Sequence, residues 1–196
     1  MALSRTSQPS YEDIMRDISQ KRFRPVYLLM GAENYYIDRI VEAIVDNALS
    51  EDERAFNLTT FYGMDTDMGS VINSAKSYPM GAARSVVLLK EAQHVKKWEA
   101  LGYYLDNPQP DTMLVICYKY GTPDKRQTWW KKLEKSGAVV MQSDKLRDYQ
   151  VEKWITDYVA QKNQELRQQG NEVSIDPRVT RILADNIGTD LSAIVS

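Results

Sequence analysis

The sequence predicts a doubly wound α/β domain, with a mostly parallel sheet, followed by a small helical domain. Three observations carry this. Short apolar runs of strand length alternate with segments of helical period as far as Met141. The strand-like runs then stop, and three helical segments follow. Finally, 196 residues with 43% hydrophobic and 27% charged side chains suffice for one sizeable core and a satellite. We place the boundary so that 1–144 form the α/β domain and 145–196 the helical one. That helical domain is expected to lack its end at Ser196.

Ser10 and Asp13 have the spacing of a capping box, and Ile14 and Ile18 share one face of the helix it would start. Pro25 opens the run Val26–Met30, a buried strand ending at Gly31. Ile37, Ile40, Val41, Ile44, Val45 and Ala48 then repeat at helical spacing. The alternation continues with a strand at Leu58–Tyr62, a helix around Met68–Ser77, a strand at Val86–Leu89 and a helix across Gln93–Leu105. A strand at Met113–Tyr118, a helical stretch Gln127–Lys135 and the short run Ala138–Met141 complete it. Right-handed crossovers put helices on both faces of such a sheet.

Past residue 145, Val151, Trp154, Ile155, Tyr158 and Val159 form a helical stripe that runs into the polar stretch Gln161–Asn171. A segment Asp176–Asn186 ends at Gly188, and a last one begins at Thr189. Trp98 and Trp154 fall at helical apolar positions and are read as core or domain-contact residues.

A net charge of −2 argues against a strongly basic nucleic-acid binder. The single cysteine, Cys117, lies in an apolar run, so neither a disulfide framework nor a paired-thiol metal site is available, and a reducing cytoplasm is the expected compartment. The opening MALSRTSQPSYEDI has no apolar leader core, and no apolar run approaches the ~18 residues that cross a bilayer, so no membrane partner is expected. His94 is the only histidine, which excludes an imidazole cluster and leaves a surface side chain; no metal or cofactor is expected.

A strand, Gly31 and a helix have the layout of a phosphate loop, whose pattern is G-x-x-x-x-G-K-[ST]. Counting from Gly31, the last three places hold Tyr36, Ile37 and Asp38. The second glycine, the cation and the magnesium-binding hydroxyl are therefore absent, and an aspartate there would repel phosphate. The strand Val86–Leu89 is followed by Lys90 and Glu91 rather than by a magnesium-holding acidic pair. A nucleotide-binding ATPase with an unconventional loop is the alternative that these residues disfavour.

Two surface candidates remain. Tyr78, Pro79 and Met80, followed by Gly81, Ala82 and Ala83, bunch apolar and small residues between a helix and a strand. They read either as a binding tip or as a loop folded back onto the core. Lys125, Arg126, Lys131, Lys132 and Lys135 accompany Trp129 and Trp130. That mixture reads as a single-stranded nucleic-acid patch or, preferably, as an amphipathic helix with buried tryptophans.

Three stretches carry a family resemblance. PVYLLMGAENYYID, from Pro25 to Asp38, has an apolar strand, a glycine, an acidic residue, an aromatic pair and a core helix. SYPMGAARSVVLLKEA, from Ser77 to Ala92, sets a proline and an apolar residue before a small residue, an arginine and a strand. Gly188-Thr189-Asp190-Leu191 matches a Gly-polar-Asp-Leu signature. In this order they resemble the delta subunit of the bacterial DNA polymerase III clamp loader.

That resemblance implies an AAA+-type ATPase fold with a helical lid, and a subunit of the polymerase holoenzyme without ATPase activity of its own. It implies binding and opening of the sliding clamp (the beta subunit), with ATP hydrolysed by sister subunits. Contact with those subunits through a collar domain, and with DNA within the assembled loader through residues such as Lys125 and Arg126, is implied as well. The family's clamp-binding tip falls on Pro79, Met80 and Gly81, with Arg84 at its base. Gly81 departs from the large apolar residue usual there, which shifts the burden to Met80 and Tyr78. The family's collar domain is expected to lie outside these 196 residues, and the chain to be a fragment.

Overall fold

Ser10 caps α1 (Tyr11–Ser19): its hydroxyl accepts from the Asp13 amide at 3.1 Å while the Asp13 carboxylate accepts from the Ser10 amide at 3.3 Å. The computed structural model in which this is seen describes residues 8–167 and 171–196, with the Glu165 side chain excluded. The leader expectation, which rests on the first fourteen residues, falls partly outside them, as do positions 168–170 of the polar stretch. The chain divides into two compact units, one reaching Ser143 and the other spanning Asp144–Ser196.

In the first unit five strands form one all-parallel sheet in the order β2-β3-β4-β1-β5. They are β1 (Val26–Gly31), β2 (Leu58–Tyr62), β3 (Ser85–Lys90), β4 (Thr112–Lys119) and β5 (Val139–Ser143). Alternate side chains build two cores. Val26, Leu28, Met30, Val87, Leu89, Leu114 and Ile116 face α4 (Met68–Ala75), α5 (Glu99–Tyr104) and α6 (Thr128–Lys135). Tyr27, Leu29, Val86, Leu88, Met113, Val115 and Cys117 face α1 and α2 (Asn34–Ala48). The doubly wound α/β fold expected from the sequence is the fold observed. Ile37, Ile40 and Ile44 of α2 are fully buried, and each contributes on the order of 2 kcal/mol.

In the first unit the structure departs from the sequence reading in two places. A short helix α3 (Glu51–Asn57), capped by Ser50 with Glu53, precedes β2 where none was expected. Gln93–Leu105 is not one helix: a 3-10 turn, Ala92–His94, gives way before α5 because Lys97 takes a left-handed φ of +60°. Trp98 consequently precedes α5 rather than lying within it. Its indole donates to the Val95 carbonyl at 3.0 Å, and its ring stacks on Trp129 at 4.7 Å between centroids.

In the second unit, α7 (Asp148–Arg167) runs on through most of the stretch read as polar. Lys153–Asp157 pairs at i,i+4 spacing along it, and Trp154 stacks on Tyr158. Then α8 (Pro177–Ile187) starts at the Asp176 cap and ends at Gly188, whose φ is +70°. Asp190 caps α9 (Leu191–Val195), two residues later than the sequence suggested. Among the described residues no helix is long and apolar enough to cross a membrane.

Candidate functional site

Doubly wound folds bind ligands at the carboxyl ends of their strands, which here means beside Gly31. Only Ala32 and Glu33 separate that glycine from α2. Their amides, which a phosphate loop would aim at its ligand, both donate to the Ser143 carbonyl, at 2.9 and 3.2 Å. The Ser143 hydroxyl returns a hydrogen bond to the Glu33 carbonyl at 2.7 Å. The Glu33 side chain, 4% exposed, caps α2 by accepting from the Tyr35 amide at 3.0 Å. A helix N-terminus that would attract an anion therefore already holds the chain's own carboxylate.

The three degenerate positions are also engaged elsewhere. Tyr36 packs its ring between Tyr11 and Tyr35, Ile37 is fully buried, and Asp38 pairs with Lys119 at 2.7 Å. A cleft of about 490 Å³ lies alongside, with Asp38, Val41, Lys90, Glu91, Cys117 and Lys119 in its wall. Burial pushes the Cys117 thiol up to about 12, far from the range of a nucleophile. The residues present do not fit a nucleotide triphosphate with its magnesium. The loop amides are spent, no lysine stands at position 37, and the hydroxyl position bears a carboxylate.

Because all strands are parallel, the segment leading into β3 lies at the opposite end of the sheet. There Tyr78 and Met80 project into solvent, 77% and 67% exposed, rather than folding back onto the core. The backbone beneath them is held at three points. Thr112, fully buried on β4, donates its hydroxyl to the Ser77 carbonyl at 3.1 Å, which leaves the Thr112 hydroxyl oxygen to accept from the Ser85 hydroxyl at 2.8 Å. Asn57, at the end of α3, accepts from the Met80 amide at 2.7 Å and donates to the Met80 carbonyl at 3.0 Å. Arg84 lays its guanidinium over the Phe23 ring at 5.2 Å. Between these points Gly81 turns the chain at φ +66°, with open space where a Cβ would stand. Pro79 is half-buried.

The basic patch is arranged differently. Trp129 and Trp130 are buried, the second donating to Glu134 at 2.9 Å, so neither presents a face for stacking bases. Lys125 sits over the Trp130 ring at 5.3 Å and donates to Gln142 at 3.0 Å. Arg126 forks onto Asp124, whose carboxyl is held down to about 2 by the guanidinium hydrogen bonds. Lys132 pairs with Asp106 at 2.5 Å. His94 is exposed, and the described residues contain no metal-binding cluster of histidine, cysteine or carboxylate side chains.

Sequence reasoning missed Glu33, Asn57, Thr112 and Ser143. The capping box before Asn57 was readable as S-x-x-E, and the Glu33 cap on Tyr35 is local, but the Met80, Ser77 and Glu33 partners of Asn57, Thr112 and Ser143 depend on tertiary packing.

A family model described as the DNA polymerase III delta subunit matches residues 27–143, more than half of the chain. The chain belongs to the DNA polymerase III delta subunit family. A curated member, DNA polymerase III subunit delta of Bacillus subtilis, is 27% identical over 144 residues, which are 68% of this chain and 41% of that one. The solved structure of the Bacillus subtilis DNA clamp loader delta protein superposes with a TM-score of 0.75 over 94% of this chain and 55% of its own length. At 21% identity that likeness speaks for the fold. The chain thus spans about half the length of these delta relatives. Gly31–Asp38 and Tyr78–Arg84 lie within the matched delta span, whereas Gly188–Leu191 lies beyond it.

Proposed function

We propose that this chain is a non-catalytic clamp-loader subunit that binds the sliding clamp and opens it during DNA replication. Tyr78, Pro79, Met80 and Gly81 form the contacting tip and Arg84 its base. The observation that carries this reading is the exposure of Tyr78 and Met80 on a loop held at Ser77, Met80 and Arg84. Exposed apolar side chains cost nothing further to present, and a backbone already fixed loses little entropy on docking. Methionine fills irregular pockets well, and tyrosine offers a large rigid face. Gly81, without a side chain, leaves room for a partner's backbone to approach.

In this reading the filled phosphate loop supports the fold, and ATP hydrolysis belongs to sister subunits. The helices α7, α8 and α9 are the lid that accompanies an ATPase-like domain. Contacts with the other loader subunits and with DNA, and residence in the cytoplasm, belong to the same proposal. Titration of the purified chain with the sliding clamp of the same organism tests it. Saturable one-to-one binding is expected, and a folded chain that fails to bind at high micromolar clamp would overturn the reading.

A further inference from the structure

The buried amide of Asn57 holds the loop at Met80 without itself belonging to the tip residues Tyr78–Arg84. It is 3% exposed, lies where α3 meets the edge strand β2, and reaches across 23 residues of sequence to Met80. Its oxygen accepts from the Met80 amide at 2.7 Å. Its nitrogen donates to the Met80 carbonyl at 3.0 Å and to the Glu53 carbonyl at 3.2 Å. The partners fix the orientation of the amide, because an N–H needs an acceptor and two carbonyls need donors. All the donors of this side chain are spent, and two of its three bonds go to one residue.

Hydrogen bonds to both the N–H and the C=O of one residue fix the two peptide planes that flank its Cα. The pair imitates a rung of sheet, supplied by a side chain, at a point where β2 and β3 have not yet begun to pair; their register starts at Leu58 and Val86. The residue so held is the one whose side chain is 67% exposed. Its neighbour Gly81, with φ at +66° and nothing near its Cβ position, supplies no restraint of its own.

We infer that Asn57 is the positioning residue of the tip, fixing the Met80 backbone so that its side chain meets the clamp already oriented. This rests on the clamp-binding reading of Tyr78–Arg84. The tip's stiffness is thus supplied from α3, an element that itself need not touch the partner. Without the amide, Met80 would sample several backbone conformations, and ordering them would be charged against binding.

Two variants and two measurements test this. Asn57→Asp is isosteric and keeps the acceptor for the Met80 amide, but it sets a carboxylate oxygen against the Met80 and Glu53 carbonyls. Asn57→Ala removes all three bonds, the two to Met80 and the one to Glu53. Hydrogen exchange of residues 78–84, followed without clamp, should quicken about tenfold or more in both variants while exchange in β1 and β4 stays at the parent rate. Clamp affinity should fall by about fivefold to tenfold, the scale of one or two lost hydrogen bonds. Asn57→Asp with parent-like exchange at 78–84 and parent-like clamp affinity overturns the assignment. Exchange that quickens equally throughout the sheet also overturns it, because Asn57 would then serve the fold at large. A Tyr78→Ala, Met80→Ala variant measured alongside separates the two claims. If it binds clamp like the parent, the tip reading fails, whereas if it loses binding and the Asn57 variants do not, only the positioning role fails.

Discussion

Asp38 on α2 and Lys119 at the end of β4 close an ion pair of 2.7 Å across 81 residues of sequence. The aspartate occupies the place where a phosphate loop carries its magnesium-binding hydroxyl, and the lysine consumes that carboxylate within the fold. The charge of Asp38 is therefore satisfied internally.

We expect neither the parent chain nor Asp38→Asn to bind ATP. The variant should lose no more than about 1 kcal/mol of stability, since the pair is partly solvated. Titration with a fluorescent ATP analogue and magnesium checks both. Saturable, magnesium-dependent binding at micromolar nucleotide would count against this account of the filled loop.

Gly31→Ala should be among the most damaging single substitutions in the first unit. A Cβ there would lie 1.9 Å from the Ser143 carbonyl oxygen, and φ is +131°. The backbone of β5 would have to move, at a cost of about 3 kcal/mol or more. Gly137→Ala is the control: its φ is +76° but nothing stands within 4 Å, so it should cost only about 1–2 kcal/mol. Urea unfolding of the two variants measures the contrast, and equal losses would refute the close approach at Gly31.

Stability should fall in alkali, in part through Cys117. Burial raises its thiol from an ordinary 9.0 to about 12, so between those values the unfolded chain releases a proton that the folded chain keeps. Below about pH 9 both states hold the proton and the group contributes no pH dependence. Above it, the group takes away about 1.4 kcal/mol per pH unit until the folded thiol also ionises. Tyr27 and Tyr104, also raised by burial, act in the same direction at higher pH. Cys117→Val should therefore lose about 1 kcal/mol less than the parent between about pH 8 and about pH 10. Identical losses by urea midpoint would show that the thiol is not protected by burial.

The sheet was readable because burial on both faces demands continuous apolar runs: Val26–Met30 and Met113–Tyr118 are such runs and fold as β1 and most of β4. The helix α2 was readable from the period of its isoleucines. Gln93–Leu105 misled because Val95, Trp98 and Leu101 have helical spacing, while the break lies in the left-handed backbone of Lys97, a residue type that gives no warning. The loss of the phosphate loop was legible at Tyr36, Ile37 and Asp38. What fills the loop was not, since Ser143 lies 110 residues from Glu33 and only the parallel pairing of β1 with β5 brings them together. At the tip, sequence supplied the apolar residues but left their direction open, because that direction depends on Asn57, Thr112 and Phe23, which belong to three other segments.

Replacing Tyr78 and Met80 together by alanine should weaken binding to the sliding clamp without unfolding the chain. Their exposures of 77% and 67% mean that truncation opens no cavity, so the melting temperature and circular dichroism spectrum should match the parent's. Loss of an apolar anchor at the centre of an interface costs about 2 kcal/mol or more, which is roughly thirty-fold in affinity. Met80→Ala alone should account for most of that loss, since its backbone is the part of the tip that Asn57 holds. Lys125→Ala with Arg126→Ala serves as the comparison: those charges are engaged with Trp130 and Asp124, away from the tip, and clamp affinity should be unchanged. A double variant at Tyr78 and Met80 that melts with the parent and still binds clamp as tightly would remove the tip from the interface. If it melts well below the parent, the two side chains serve the fold, contrary to their exposure.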